Sequence, residues 1–254
     1  VSAAGECKNF ALFGGSVCAM VQPSCGFCDH LFEQMMPTWA WGKDYFAVPL
    51  ATRFGDVYKM IAQEKNTEVI VNGGIPTILN AGENMEMLIN GATTISADKP
   101  ISVAQFSRGG TCDGVGDADP FMIILSPIEQ AINEITFNSF TSAVITSYYL
   151  NVLTKTANTG LVNLDGTPVP AGSFTPIIAN PDFSFAQLSI ATGNHTLQSD
   201  SGFTAYVYGY GNLESYGYIA GANVNDLSSA FEIAYDGDTV VYHQFFDTVF
   251  CVTN

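Results

Sequence analysis

The chain has 254 residues, of which 47% are hydrophobic and only 13% are charged, so it can bury a sizeable core. Its formal net charge is −16, and no lysine or arginine follows Lys155. Such a surface cannot neutralise phosphates or anionic lipid, which argues against nucleic-acid binding. Because no apolar run reaches the ~20 residues of a membrane span, membrane insertion is not expected either.

The chain is predicted to be almost entirely β. Short segments rich in β-branched and aromatic residues alternate with clusters of Gly, Asn, Asp and Pro. The one helix-like pattern is weak and lies near residues 57–64. The strand-like segments, in chain order, are YFAVPLAT (45–52), TEVIVNG (67–73), ISVAQFS (101–107), YYLNVLT (148–154), FSFAQLSI (183–190), FTAYVYGYG (203–211) and TVVYHQFF (239–246). Many short strands at this spacing predict β-sandwiches of jelly-roll type.

These strands occur twice in the same order. TEVIVNG at 67–73 matches TGLVNLDG at 159–166, and residues 84–109 match residues 182–211. A partial third copy lies at the front, where residues 8–18 resemble residues 100–112 and both run on to a Glu-Gln pair. We therefore predict an all-β fold of tandem sandwich modules from an internal duplication of about 95–100 residues. The expected units are 1–36 (the tail of a partial module), 37–132 and 133–222 (two sandwiches), and 223–254 (a strand-like segment).

The stretch CGFCDHLFEQ holds possible metal or redox ligands in Cys25, Cys28, Asp29, His30 and Glu33. Its partner in the repeat, CDGVGDADPFMIILSPIEQ (112–130), has no histidine and no second cysteine. A structural zinc site needs four ligands, and a thioredoxin-type Cys-x-x-Cys should open a helix, whereas strand patterns flank this one. The stretch is therefore predicted to be architectural, with structural disulfides.

Three blocks together resemble a known family. They are CDHLFEQMMPTWAWGKDYFAVPLATRFGD (28–56), ISADKPISVAQFSRGGTCDGVGDADPFMIILSPIEQ (95–130) and AYVYGYGNLESYGYIAG (205–221). In this order they look like the N-terminal IgGFc-binding domain, which is found in mucin-like secreted proteins and other extracellular proteins. The resemblance runs from about residue 5 to 222.

The resemblance implies a Cys18–Cys28 disulfide, because Gly-Ser-x-Cys followed by Cys-Asp-His-Leu is similar to the family's bridged strand and loop. Cys7, Cys25 and Cys251 look like additions to the family pattern. Cys7–Cys251 is a candidate bridge, while the pairing of Cys25 and Cys112 stays open.

Two patterns suggest catalysis, and each has a structural alternative. Gly110-Thr111-Cys112-Asp113-Gly114 has the form of a nucleophile elbow, but the strand-to-helix context is missing. Glu33 and Glu129 could form a carboxylate pair, but copies of one position normally lie a module apart. We expect these glutamates to accept backbone N–H groups at module junctions, and we expect no catalytic residues and no enzyme.

Other patterns suggest ligands. Asp113, Asp117 and Asp119 could bind calcium, with a solvated acidic turn as the alternative; no other cofactor is expected. Tyr206, Tyr208 and Tyr210 alternate onto one strand face, which could stack on glycans or pack in the interior. Asn194 begins the sequon Asn-His-Thr and is a candidate glycosylation site.

The even number of cysteines favours an oxidising, extracellular compartment. Residues 1–36 and 223–254 are each too small to cover an apolar face alone, so we expect them to complete each other by strand pairing, within one chain or between chains. The predicted function is that of a secreted structural or adhesive protein that associates with itself. Alternatives are a carbohydrate-binding module and, on the family resemblance, an immunoglobulin-binding module.

Overall fold

The computed structural model describes residues 10–115, 119–227, 231–236 and 239–244, the last two ranges as backbone only. It is nearly all β, which confirms the predicted fold class. The helical elements within these ranges are short 3-10 turns. None of them is long and apolar enough to cross a membrane.

An antiparallel hairpin precedes the first sandwich. Its strands are β1 (Phe13–Ala19) and β2 (Asp29–Gln34), with Gly15 opposite Phe32 and Phe13 opposite Gln34. Within the described part of the chain, this hairpin pairs with no third strand and forms a two-stranded sheet. Its outer edges are therefore open.

The first sandwich contains seven strands, and one long strand serves both of its layers. The strands are β3 (Gly42–Ala47), β4 (Asp56–Ala62), β5 (Thr67–Val71), β6 (Thr77–Leu79), β7 (Asn84–Ile89), β8 (Thr93–Phe106) and β9 (Met122–Ile124). The first half of β8 pairs with β3 and β5, and its second half pairs with β4 and β9. The pairing with β3 skips from Ser96 to Ile101, and Pro100, which has no N–H to donate, lies in the skipped stretch.

The second sandwich repeats this pairing scheme. Its strands are β10 (Ile132–Ser139), β11 (Ile145–Lys155), β12 (Asn163–Leu164), β13 (Thr167–Pro168), β14 (Thr175–Ile177), β15 (Asn180–Ser189), β16 (Gly193–Gly211) and β17 (Glu214–Ile219). The first half of β16 pairs with β10 and β12, and its second half pairs with β11 and β17. The skip recurs between Gln198 and Phe203, where Gly202 adopts a φ of 78° that favours glycine. Thus β10, β11, β16 and β17 correspond to β3, β4, β8 and β9.

A final hairpin consists of β18 (Phe231–Asp236) and β19 (Thr239–Gln244).

Two sequence interpretations are corrected by this topology. Residues 57–64, which gave the helix-like pattern, lie mostly in β4, a strand paired on both edges with β7 and β8. Both sides of β4 carry buried apolar residues, with Tyr58 and Met60 in one core and Val57 in another, and Lys59 is the one exposed residue of the strand, so apolar and polar residues do not alternate regularly. The two Glu-Gln pairs are not equivalent, because Glu33 and Gln34 end β2 whereas Glu129 and Gln130 lie in a 3-10 turn after β9.

Candidate interaction surfaces between sandwiches

The second sandwich packs on the first through three tyrosines of β16. Tyr206, Tyr208 and Tyr210 are at most 3% exposed and belong to the core of the first sandwich. The Tyr208 hydroxyl donates to Asn151 Oδ1 at 2.7 Å and accepts from Ala51 N at 2.8 Å. Burial raises the pKa of Tyr206 to about 12. The glycan-stacking prediction for these tyrosines is wrong, since no sugar can reach their faces; they pack instead.

The alternate residues of the same strand point the other way. Ala205 and Val207 lie in the core of the second sandwich itself. We define the packing face of a unit as the side of its long-strand sheet that points away from its own core. In the second sandwich this face carries the three tyrosines, and the first sandwich covers it.

The packing face of the first sandwich is covered in the same manner by the N-terminal segment. Phe106 lies opposite Met122, as Tyr208 lies opposite Gly217 in the second sandwich. Phe106 and Val57 form a small core with Val21, and Leu31 of β2 packs against it. One face of the β1–β2 hairpin therefore receives the first sandwich, just as the first sandwich receives the second.

A buried ion pair holds this contact together. The Arg108 guanidinium donates to Asp113 Oδ1 at 2.8 Å, to the Gly55 carbonyl at 2.7 Å and to Gln22 Oε1 at 3.2 Å. Asp113 also accepts the backbone N–H of Phe54 at 2.9 Å. Removing one partner of such a pair would leave an uncompensated buried charge.

The calcium prediction is not supported by this arrangement. Asp113 is buried and its Oδ1 is paired with Arg108, so Asp113 is not part of a solvated acidic turn. Asp119 is also buried, and Asp117 lies outside the described residues. Across the ranges with known side chains, no group of three His, Cys, Asp or Glu residues could hold a metal ion.

Two disulfides account for the cysteines of CGFC. Cys18 is bonded to Cys28, which is the pairing that the family resemblance implies. Cys25 is bonded to Cys112 and so joins the N-terminal segment to the loop after β8. Cys112 therefore offers no free thiol to the proposed elbow, and Cys25 and Cys28 offer none to a metal. Cys7 and Cys251 lie outside the described residues.

The junction between the two sandwiches is organised around Gln130. Its buried side-chain amide donates to the carbonyls of Ala40 (3.2 Å) and Asn225 (2.8 Å) and accepts the N–H of Asn225 at 2.9 Å. Glu129 accepts the N–H of Lys43 at 2.8 Å. In this turn the Glu-Gln pair receives backbone N–H groups where units meet.

The β1–β2 hairpin carries a third packing face, and this one is exposed. Phe13 and Phe32 lie on the side opposite Leu31 and stack with their rings 5.3 Å apart and 6° from parallel. Phe32 is 65% exposed, and Val17 in β1 is 92% exposed. On the inner side, burial raises the pKa of Glu33 to about 7. By position in the sheet, Phe32 corresponds to Met122 and Gly217. Phe32 faces Gly15 of β1, Met122 faces β8 and Gly217 faces β16, and each of the three lies in the last strand of its unit.

The sequence analysis did not single out Phe13 or Phe32 as functional residues. The available signal was the apolar character of both faces of NFALFGGSV and HLFEQ, which a lone hairpin cannot bury. Of the remaining candidates, Asn194 is exposed, and its side chain accepts a hydrogen bond from Asn138 at 2.8 Å. Its glycosylation stays a prediction.

Comparisons with known proteins identify the family of this chain. The chain is 24% identical over 220 residues to the human IgGFc-binding protein, an alignment that covers 84% of this chain and 4% of that protein. No solved structure matches the chain. The family model described as IgGFc binding protein matches residues 1–209, well over half of the sequence. The chain therefore belongs to the IgGFc-binding protein family.

Proposed function

We propose that this protein is a non-enzymatic, extracellular structural or adhesive protein that associates with further copies of itself. The observation that carries the proposal is the exposed packing face of the β1–β2 hairpin, whose two counterparts in the chain are both buried. Contiguous exposed apolar faces of this kind mark interaction sites. The Cys18–Cys28 and Cys25–Cys112 disulfides support an extracellular location, because such bonds persist in oxidising compartments.

A structural role also agrees with the contacts made by two residues that suggested catalysis. Cys112 is consumed in a disulfide, and Glu129 accepts a backbone N–H. The tyrosines that favoured a carbohydrate-binding module are interior residues. Cys112 and the tyrosines stabilise contacts between units, and Glu129 stabilises a contact within the first sandwich.

Strand pairing is the proposed mode of association. β18 follows β17 as β10 follows β9, so β18 and β19 correspond to the first strands of a sandwich. The β1–β2 hairpin corresponds to the last strands of one, and no further strand of the described residues pairs with its edges. Pairing β19 with β1, as β4 pairs with β8, would assemble one sandwich from the two hairpins of neighbouring chains.

Sedimentation velocity over a range of concentrations, with electron microscopy of the purified chain, tests this proposal. We expect assembly that grows with concentration, and loss of assembly when residues 236–254 are deleted. Circular dichroism of the truncated chain verifies that the two sandwiches remain folded. A chain that stays monomeric at every concentration, or a truncated chain that assembles as the full one does, contradicts the proposal.

Binding of an immunoglobulin Fc fragment is the second candidate, and the family match supports it. Since the chain spans only 4% of the human relative, the binding named for that protein is a hypothesis for this one. Surface plasmon resonance with immobilised Fc and a Fab control tests it. Equal responses to Fc and Fab would count against specific capture.

A further inference from the structure

The first sandwich shows what a packing face requires of the surface that receives it. Tyr208 is held by Ala51 N in the loop between β3 and β4. The ring of Tyr210 lies 6.1 Å from that of Phe121, which directly precedes β9. The Arg53 guanidinium lies 3.8 Å above the Tyr210 ring. The receiving surface thus combines the loop after the first strand with the start of the last strand.

The second sandwich has the same two elements, of which the loop is exposed and the strand start, at Tyr216, is partly buried. Its loop 140–144 joins β10 to β11, as loop 48–55 joins β3 to β4. Phe140 in this loop is 58% exposed, and Val144 is also exposed. Tyr216 takes the place of Phe121, because Gly217 and Met122 face equivalent residues of the long strands. The Phe140 and Tyr216 rings meet edge to face, 6.1 Å apart.

The contact between a packing face and a receiving surface occurs twice within the chain. The second sandwich inserts its packing face into the first, and the first inserts its own against β2. Among the residues with described side chains, one packing face, on Phe13 and Phe32, has no receiver, and one receiver, around Phe140, has no packing face. Both are aromatic, as the tyrosine contact between the sandwiches is.

We propose that the Phe13–Phe32 face of one copy docks on the Phe140–Val144–Tyr216 surface of a second copy. The inference rests on the proposed self-association and names its interface. The two surfaces differ, so the contact is heterologous. An assembly of docked copies therefore has a free packing face at one end and a free receiving surface at the other. The same junction brings β1 beside the β18–β19 hairpin of the receiving copy, because that hairpin follows the receiving sandwich in sequence.

One substitution on each surface tests the interface. Phe32→Ser removes an exposed ring from the packing face, and Phe140→Ser removes one from the receiving surface. Ile178→Ser is the matched control, because Ile178 is 97% exposed and lies on neither surface. All three side chains are exposed, so the folded units should be preserved, which thermal melting followed by circular dichroism checks.

Each phenylalanine variant should weaken self-association by about tenfold or more, as measured by sedimentation equilibrium. The control should associate as the parent chain does. An equimolar mixture of Phe32→Ser and Phe140→Ser should form dimers and no larger species, since each variant retains the half that the other lacks.

The outcomes separate the two claims. A parent chain that stays monomeric defeats the proposed self-association itself. A parent chain that assembles while both variants assemble equally well defeats this interface alone. A mixture of the two variants that stays monomeric, or that builds chains, also overturns it.

Discussion

Removal of the Cys25–Cys112 disulfide should destabilise the protein more than removal of the Cys18–Cys28 disulfide. The first bridge spans 87 residues and joins the N-terminal segment to the loop after β8, whereas the second spans 10. In the chain-entropy model the stabilisation grows with the logarithm of loop length. It is worth about 4.6 kcal/mol for the long loop and about 2.7 kcal/mol for the short one. The expected difference is therefore about 2 kcal/mol.

The double variants Cys25→Ala/Cys112→Ala and Cys18→Ala/Cys28→Ala measure this difference in guanidinium unfolding. Fluorescence of Trp39 and Trp41, the two tryptophans of the chain, reports on the segment between the hairpin and the first sandwich. Peptide mapping without reductant verifies that the other bridge is intact in each variant. Cys25 is fully buried, so its removal also costs packing and should widen the gap. Equal costs, or a larger cost for the short loop, would refute the reasoning.

Three further predictions concern pH, a junction and proteolysis. Burial raises the pKa of Asp56 to about 7, above the ~3.9 of an unfolded aspartate, so the folded state holds a proton that the unfolded state releases. Stability should therefore rise as pH falls from about 7 to about 4, by at most about 1.4 kcal/mol per unit, and Asp56→Asn should flatten this slope in urea titrations. Gln130→Ala should lower the free energy of unfolding by about 2–3 kcal/mol, because it leaves buried backbone groups unpaired, while the exposed Gln34→Ala should change it by less than about 0.5 kcal/mol. Trypsin should leave residues 156–254 of the reduced, unfolded chain as one fragment, since no lysine or arginine follows Lys155, and mass spectrometry that finds a tryptic cut inside it would contradict this.

Local patterns in the sequence were sufficient for the fold class. Period-2 alternation and clusters of turn residues are properties of neighbouring residues, and they located several strands of each sandwich, although β4 gave a helix-like pattern and β10 was not among the predicted segments. The recurrence of the long strand at 84–109 and 182–211 also survives in the structure, because β8 and β16 occupy equivalent positions. Alternation likewise placed Tyr206, Tyr208 and Tyr210 on one face.

Whether a given face is covered depended on the tertiary structure. Alternation assigns a residue to a side of its strand, but the partner on that side comes from elsewhere in the chain: Ala51 meets Tyr208 from 157 residues away. The same reason explains Asp113, whose acidic neighbours suggested a cation, whereas its Oδ1 accepts from Arg108 and from the N–H of Phe54, which lies on another loop. It explains β4 as well, where apolar residues are buried on both sides of the strand and Lys59 alone is exposed. The sequence determined which residues share a face, and packing between units decided which faces are interior and which, on Phe32 and Phe140, remain open.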